Sequence, residues 1–226
     1  MRGNSGALPM HQRRRELGEL SRHAILDAAA RLMAERGYDA TSIAVLSAET
    51  SLPSSSIYWH FGSKEGVLAA VLERGAERFF AACAELADTG GGSDPSETII
   101  AAMGDLGRWL LAGGEHSRFV QLQLRFMMNR EQLGDQARAL VDQNRRAALD
   151  VLSHAIAHAY RAHGDVETQR IGAETAPFGM AVLDGVFLTA STHADASQQA
   201  SLLRDAGHAI AAAAARVAAQ QDAVTA

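Results

Sequence analysis

The stretch TSIAVLSAETSLPSSSIYWHFGSKE, residues 41–65, constrains the fold more than any other part of the chain. Ile43 and Leu46 lie one helical turn apart, and Ile57 and Phe61 stand at positions i and i+4. Each pair therefore shares one face of a helix. Between the pairs lies TSLP, residues 50–53, whose polar residues and proline make a turn. Thr41 is the expected cap of the first of these helices. Gly62 ends the second, and Ser63 can cap the helix that follows. Upstream, Ile25, Leu26, Ala29, Leu32 and Met33 recur at helical spacing until Gly37.

Three short helices, the last two joined by a tight turn, have the layout of a helix-turn-helix DNA reader. Its third helix has two tasks. Ile57 and Phe61 anchor it to the first two helices. Its other faces are free to meet a duplex. Ser54, Ser55 and Ser56 fill the N-terminal turn, where hydroxyls and helix N–H groups suit phosphate. Tyr58, Trp59 and His60 each carry one polar handle on a flat body, suited to phosphate oxygens, sugars and thymine methyls. Lys64, the sole lysine among 226 residues, opens the next helix beside them.

The run AILDAAARLMAERGYDATSIAVLSAETSLPSSSIYWHFGSKEGVLAAVL resembles the DNA-binding domain of TetR-family transcriptional repressors, over roughly fifty residues in order and spacing. The ending I-Y-W-H-F-x-S-K-E and the G-Y-D-A-T-S entry to the second helix carry the likeness. The resemblance implies an all-helical homodimer whose head binds palindromic operator DNA and whose C-terminal domain binds a small inducer. It implies DNA contacts at Thr41, Ser42, Ser54, Ser55, Ser56, Tyr58, Trp59, His60 and Lys64. Two departures stand out. Ser51 occupies the turn position where the family usually has glycine, so the turn is either strained or differently shaped. The recognition helix also lacks lysine and arginine, which removes the bidentate arginine–guanine contact. Specificity then rests on hydroxyls, methyl contacts and DNA shape. Arg13, Arg14 and Arg15 can restore electrostatic affinity, with a plain solvated basic tail as the alternative.

The rest of the chain reads as helix throughout, giving an all-α fold of about nine helices. Residues 1–20 read as a flexible basic arm, 21–66 as the DNA-binding domain and 67–226 as the ligand-binding and dimerisation domain. TGGGSDPSE, residues 89–97, is the clearest boundary signal, with Asp94, Pro95 and Glu97 marking a helix start. Further helices are expected over about 64–87, 95–112, 116–130, 134–162, 166–191 and 198–221, with Asp165 and Ser197 as caps of the last two. Residues 176–190, APFGMAVLDGVFLTA, read as a helix buried on most sides. They are short for a bilayer span and contain Asp184, so no membrane partner is expected. In the family the last two helices pair with those of a second copy. Gly172, Gly179 and Gly185 leave room for such close approach.

Charge is uneven: residues 1–23 carry a net +3, whereas residues 66–226 carry thirteen arginines against nineteen acids. A basic tip on an acidic body points to a polyanion at one end. The single cysteine, Cys83, excludes an intrachain disulfide and fits a reducing, cytoplasmic compartment. No secretory leader is visible in the sequence.

Met103, Trp109, Phe119, Phe126, Met127 and Phe178 fall on helices that line the effector pocket in the family. They suit an apolar cavity of roughly 300–1,000 Å³. Gln123, Asn144, His154, Tyr160 and Asp184 are its candidate polar handles. Each large apolar residue can equally be ordinary core. His154 and His158 stand at i, i+4, a spacing that can hold a metal, but no third ligand accompanies them. The reading is therefore a ligand-responsive repressor with no cofactor and no enzymatic role. The alternatives are a helical interaction module without DNA binding and a metal-dependent helical-bundle enzyme.

Overall fold

The computed structural model describes residues 10–87, 94–192 and 195–225. These form nine α-helices, with no strand among the described residues. The head comprises α1 (Met10–Arg36), α2 (Ile43–Thr50) and α3 (Ser54–Phe61). The body comprises α4 (Lys64–Ala87), α5 (Pro95–Leu111), α6 (Glu115–Met128), α7 (Asp135–Ala159), α8 (Asp165–Thr192) and α9 (Ala196–Thr225). Single 3₁₀ turns at Arg130–Gln132 and Arg161–His163 flank α7.

The first helix begins at Met10, well before the expected onset near 21. Over residues 12–20 nearly every side chain is exposed, Leu17 and Leu20 among them. Glutamine, arginine, glutamate and leucine are strong helix formers, so propensity extends the helix past its last packing residue. Arg13, Arg14 and Arg15 therefore stand exposed on a helix rather than on an irregular arm. Residues 1–9 of that expected arm lie outside the described residues.

Caps follow side-chain chemistry. Asp94 accepts from Ser96 N–H at 2.8 Å and Pro95 occupies the first turn, as expected. Ser63 accepts from Gly66 N–H at 3.0 Å. The last helix starts earlier than expected: Asp195 and Gln198 exchange hydrogen bonds at 2.9 and 3.1 Å, a reciprocal cap that displaces Ser197 from that role. Asp165 lies within the first turn of α8 instead of capping it.

Three clusters make the core. The first joins Ile25, Leu32, Leu46 and Ile57 of the head to Leu68, Leu122, Phe126 and Val141 of the body. The second unites α5, α7, α8 and α9 around Ile156, Ile171 and Ile210. The third packs Phe79, Phe119 and Phe187 between α4, α6 and α8. Because α4 contributes to the first and third, it couples head to body without a break. Gly172 permits close packing of α8 on α7, since a Cβ there would lie 2.3 Å from Ser153 O. Gly185 faces open space within the single chain.

Residues 176–190 are not buried on most sides in the single chain. Ala176, Gly179, Met180, Phe187 and Ala190 face the core, but Phe178, Ala181, Gly185 and Leu188 face outward. Their spacing of three, four and three residues draws one exposed stripe along α8. Helix α8 is long and apolar enough to cross a membrane by length and composition. Its inner face is nonetheless part of the core formed with α7 and α9.

Candidate DNA-binding head and effector cavity

The third helix is pinned from beneath. Ile57 is fully buried, Phe61 is partly buried against the same cluster, and Leu46 of α2 is fully buried beside them. Burying one such aliphatic side chain stabilises by about 1.5–3 kcal/mol. On the outer side, Ser55, Tyr58 and Trp59 are exposed, Trp59 at 78%. Ser54, Ser56 and His60 are half-buried at its margins. Trp59 meets the His60 ring edge-on at 4.6 Å, which limits both.

A cationic rim borders this face. The Arg22 guanidinium lies over the Phe61 ring at 5.7 Å. The His60 imidazole is held below its ordinary pKa, first by partial burial and then by the nearby Arg22, with Glu19 opposing. Lys64 Nζ sits 4.0 Å from the centre of the Tyr38 ring and donates to Asp39 O at 3.4 Å. Partial burial, then Glu65 and Asp39, push the Tyr38 hydroxyl pKa up. Sequence reasoning missed Arg22 and Tyr38 as supports, although Arg22 belongs to the basic tip it noted.

Thr41 does not belong to the outer face. Its side chain is fully buried and its hydroxyl donates to Gly37 O at 2.9 Å. The cap of α2 is Ser42, whose Oγ accepts from Val45 N–H at 3.2 Å while remaining exposed. Two adjacent hydroxyls are indistinguishable by residue type; the chain path after Gly37 turns one inward. Ser51 adopts φ 55° and ψ 24°, the left-handed conformation expected of a glycine, and is the only non-glycine at positive φ among the described residues. The turn thus keeps its shape and bears the strain.

Below the head, a cavity of about 1260 Å³ opens between α4, α5, α6, α7 and α8. It exceeds the usual upper size of ligand pockets, about 1,000 Å³. Of the residues named as effector contacts, Met103, Phe119, Gln123, Met127, Asn144, His154 and Asp184 line it. Four expected residues do not. Phe126 points into the head–body cluster and meets Tyr38 edge-on at 6.2 Å. Trp109 stacks on His116 at 4.3 Å, outside the lining. Tyr160 is buried at the end of α7 in the second core cluster. Phe178 is 46% exposed on the outer stripe of α8. Helical position assigned each to the correct element, but a rotation of a third of a turn separates cavity from core or surface.

Sequence reasoning also missed much of the wall. Phe79, Phe80 and Cys83 enter it from α4, and Arg145 from α7. The paired phenylalanines were a usable signal. Arg145 engages Asp184 through two contacts, at 3.1 and 2.7 Å. Cys83 is buried, and burial pushes its thiol pKa up to about 11. No group of three or more His, Cys, Asp or Glu side chains is arranged to hold a metal among the described residues. His154 and His158 are exposed, and His154 Nδ1 lies 2.7 Å from Asp150 O.

The chain is thus all-helical over the described residues, with a helix-turn-helix head set on a cavity-bearing body. Residues 25–71 match the family model for bacterial regulatory proteins, tetR family. The head thus matches the family's DNA-binding region, and the fold is one shared with solved TetR-family regulators. The HTH-type transcriptional repressor ComR of Escherichia coli (strain K12) is 43% identical over 60 residues, 26% of this chain and 29% of ComR. The match thus spans less than a third of that relative. A TetR-family regulator from Agrobacterium tumefaciens superposes with a TM-score of 0.70 at 22% identity, over 85% of this chain and 98% of that one. AibR, solved with isovaleryl coenzyme A and operator DNA, superposes with a TM-score of 0.58 at 20% identity, over 80% of this chain and 94% of AibR.

Proposed function

We propose that the chain is a cytoplasmic, ligand-responsive repressor that binds palindromic operator DNA as a homodimer and is released by a small, largely apolar effector. The observation that carries this reading is the third helix: Ile57 is locked in the core while Tyr58 and Trp59 project outward beside Lys64. Ser42, Ser54, Ser55, Ser56, Tyr58, Trp59, His60 and Lys64 form the contact set, and Arg13, Arg14 and Arg15 reach flanking phosphates from the extended α1. The fold neighbour AibR was solved with both a small molecule and operator DNA, which supports one chain serving both ligands.

The dimer forms through α8 and α9, covering the stripe of Phe178, Ala181, Gly185 and Leu188. Two recognition helices then enter successive major grooves roughly 34–36 Å apart. Effector in the cavity displaces α4, whose first turn holds Lys64, and changes the spacing of the heads. A preference of a few kcal/mol for the released state suffices. In this reading the chain performs no catalysis.

The test is binding of the purified protein to DNA upstream of its own gene, titrated with salt. Affinity should fall by orders of magnitude between low and high salt, and should depend on sequence. Binding indifferent to both sinks the reading.

A further inference from the structure

One ring of the cavity wall is seated against the backbone of the helix that leads to the head. Gly75 lies midway along α4. Glycine weakens a helix interior, so such a position calls for a local reason. A Cβ added there would lie 2.6 Å from Cδ2, 3.3 Å from Cγ and 3.4 Å from Cε2 of Phe119 in α6. The missing Cβ is thus a notch that admits the edge of the ring. Phe119 is buried, and it also lines the cavity. Phe79 and Phe80, one turn further along α4, stand 5.3 and 6.5 Å from its ring centre and line the cavity as well. Gly107 forms a similar notch for Leu203, but Leu203 is no part of the cavity wall.

Packed interiors are dense and yield little, so a wall residue that rests on helix backbone passes a push to the helix. A flexible side chain in the same place would move aside. Lys64, at the first position of the same helix, lies about 16 Å from Gly75 along its axis. Resting on the reading of this cavity as the effector site and of the head as a DNA reader, we propose that Phe119 is the lever of the switch. An effector that presses on its ring drives α4 away from α6 through the Gly75 notch, and so moves Lys64 off its phosphate. A ligand shifts an equilibrium only through contacts that differ between the two states, and the seating of this ring is such a contact. The switch therefore answers to ligands bulky enough to reach Phe119, and not to occupancy of the cavity elsewhere.

The test begins without ligand, on the full chain. Gly75→Ala fills the notch and stands in for a pressing effector. It should lower affinity for DNA upstream of the protein's own gene by about tenfold or more, within the usual span of coupling between sites. Phe119→Val removes the ring, and the nearest atom it keeps, at the Cγ position, lies 3.3 Å from the added Cβ. Gly75→Ala combined with Phe119→Val should therefore return affinity to within about threefold of the parent, a non-additive rescue. Undiminished DNA affinity in Gly75→Ala, or a loss that Phe119→Val does not rescue, overturns the proposal. A second arm decides the matter if Gly75→Ala fails to fold. N-phenyl-1-naphthylamine, a neutral apolar fluorophore, is titrated into the parent and into Phe119→Val while amide exchange of α4 is followed. Bound probe should alter exchange around Gly75 in the parent and leave it unchanged in Phe119→Val; an equal response in both overturns the proposal. A parent chain that binds no DNA sinks the regulator reading, and one that binds no probe sinks the cavity reading. The lever falls with either, but a failed rescue in a DNA-binding parent sinks the lever alone.

Discussion

Tyr38, just past the end of the first helix, stands between two helices of the body: Phe126 of α6 meets its ring edge-on at 6.2 Å, and Nζ of Lys64, the first residue of α4, stands 4.0 Å from its centre. The residue that holds the lysine beside the recognition helix is thereby held by a body helix that also lines the cavity through Gln123 and Met127. One ring thus stands between α6 and Lys64.

Lys64→Ala should weaken DNA binding and reduce the slope of log affinity against log salt by about one, the mark of a single lost phosphate contact. Tyr38→Leu keeps the charge but removes its platform. It should lower DNA affinity with the salt slope nearly unchanged, and an unchanged affinity would show that Lys64 does not need the Tyr38 ring beneath it.

Ser51 sets a stability test. Its left-handed backbone costs about 1–2 kcal/mol, whereas glycine costs about 0.5–1 kcal/mol in unfolded-chain entropy. Ser51→Gly should therefore raise stability by about 0.5 kcal/mol, read as a higher urea midpoint at constant m-value. Ser51→Val, branched at Cβ, should lower it by more than about 1 kcal/mol.

Two glycines of α8 should respond oppositely. Gly172→Ala drives a Cβ toward the Ser153 carbonyl at 2.3 Å, and backbone cannot rotate aside. It should destabilise by about 1–3 kcal/mol in denaturant unfolding. Gly185 has nothing within 4 Å of its added Cβ within the chain. Gly185→Trp should leave the protomer folded by circular dichroism but shift sedimentation toward the monomer, because the outer stripe of α8 is the proposed seam.

Cys83 should be inert at neutral pH. With its thiol pKa near 11, the reactive thiolate is scarce, and labelling by a disulfide reagent at pH 8 should be far slower than in urea. The folded pKa lies above the unfolded value near 9, so the stability this thiol contributes is whole below pH 9 and is lost as pH rises toward 11. Cys83→Ser should flatten that part of the stability–pH profile.

Local chemistry written in the sequence determined the helix count, the order of helices, the two-helix reader with its turn, and most of its outer face. Apolar spacing, glycine stops and capping hydroxyls act over a few residues, so they can be read directly. Tertiary structure decided what depends on rotation and approach. It turned Thr41 inward and left Ser42 outside. It sent Phe126 to the head, Tyr160 to the core and Phe178 to the surface, while Gln123 and Asn144 lined the cavity. A helix presents each residue at a fixed angle to its own axis, but which angle meets a neighbour, a void or water depends on where the other helices lie. That information is shared among segments far apart in the chain, and no single stretch contains it.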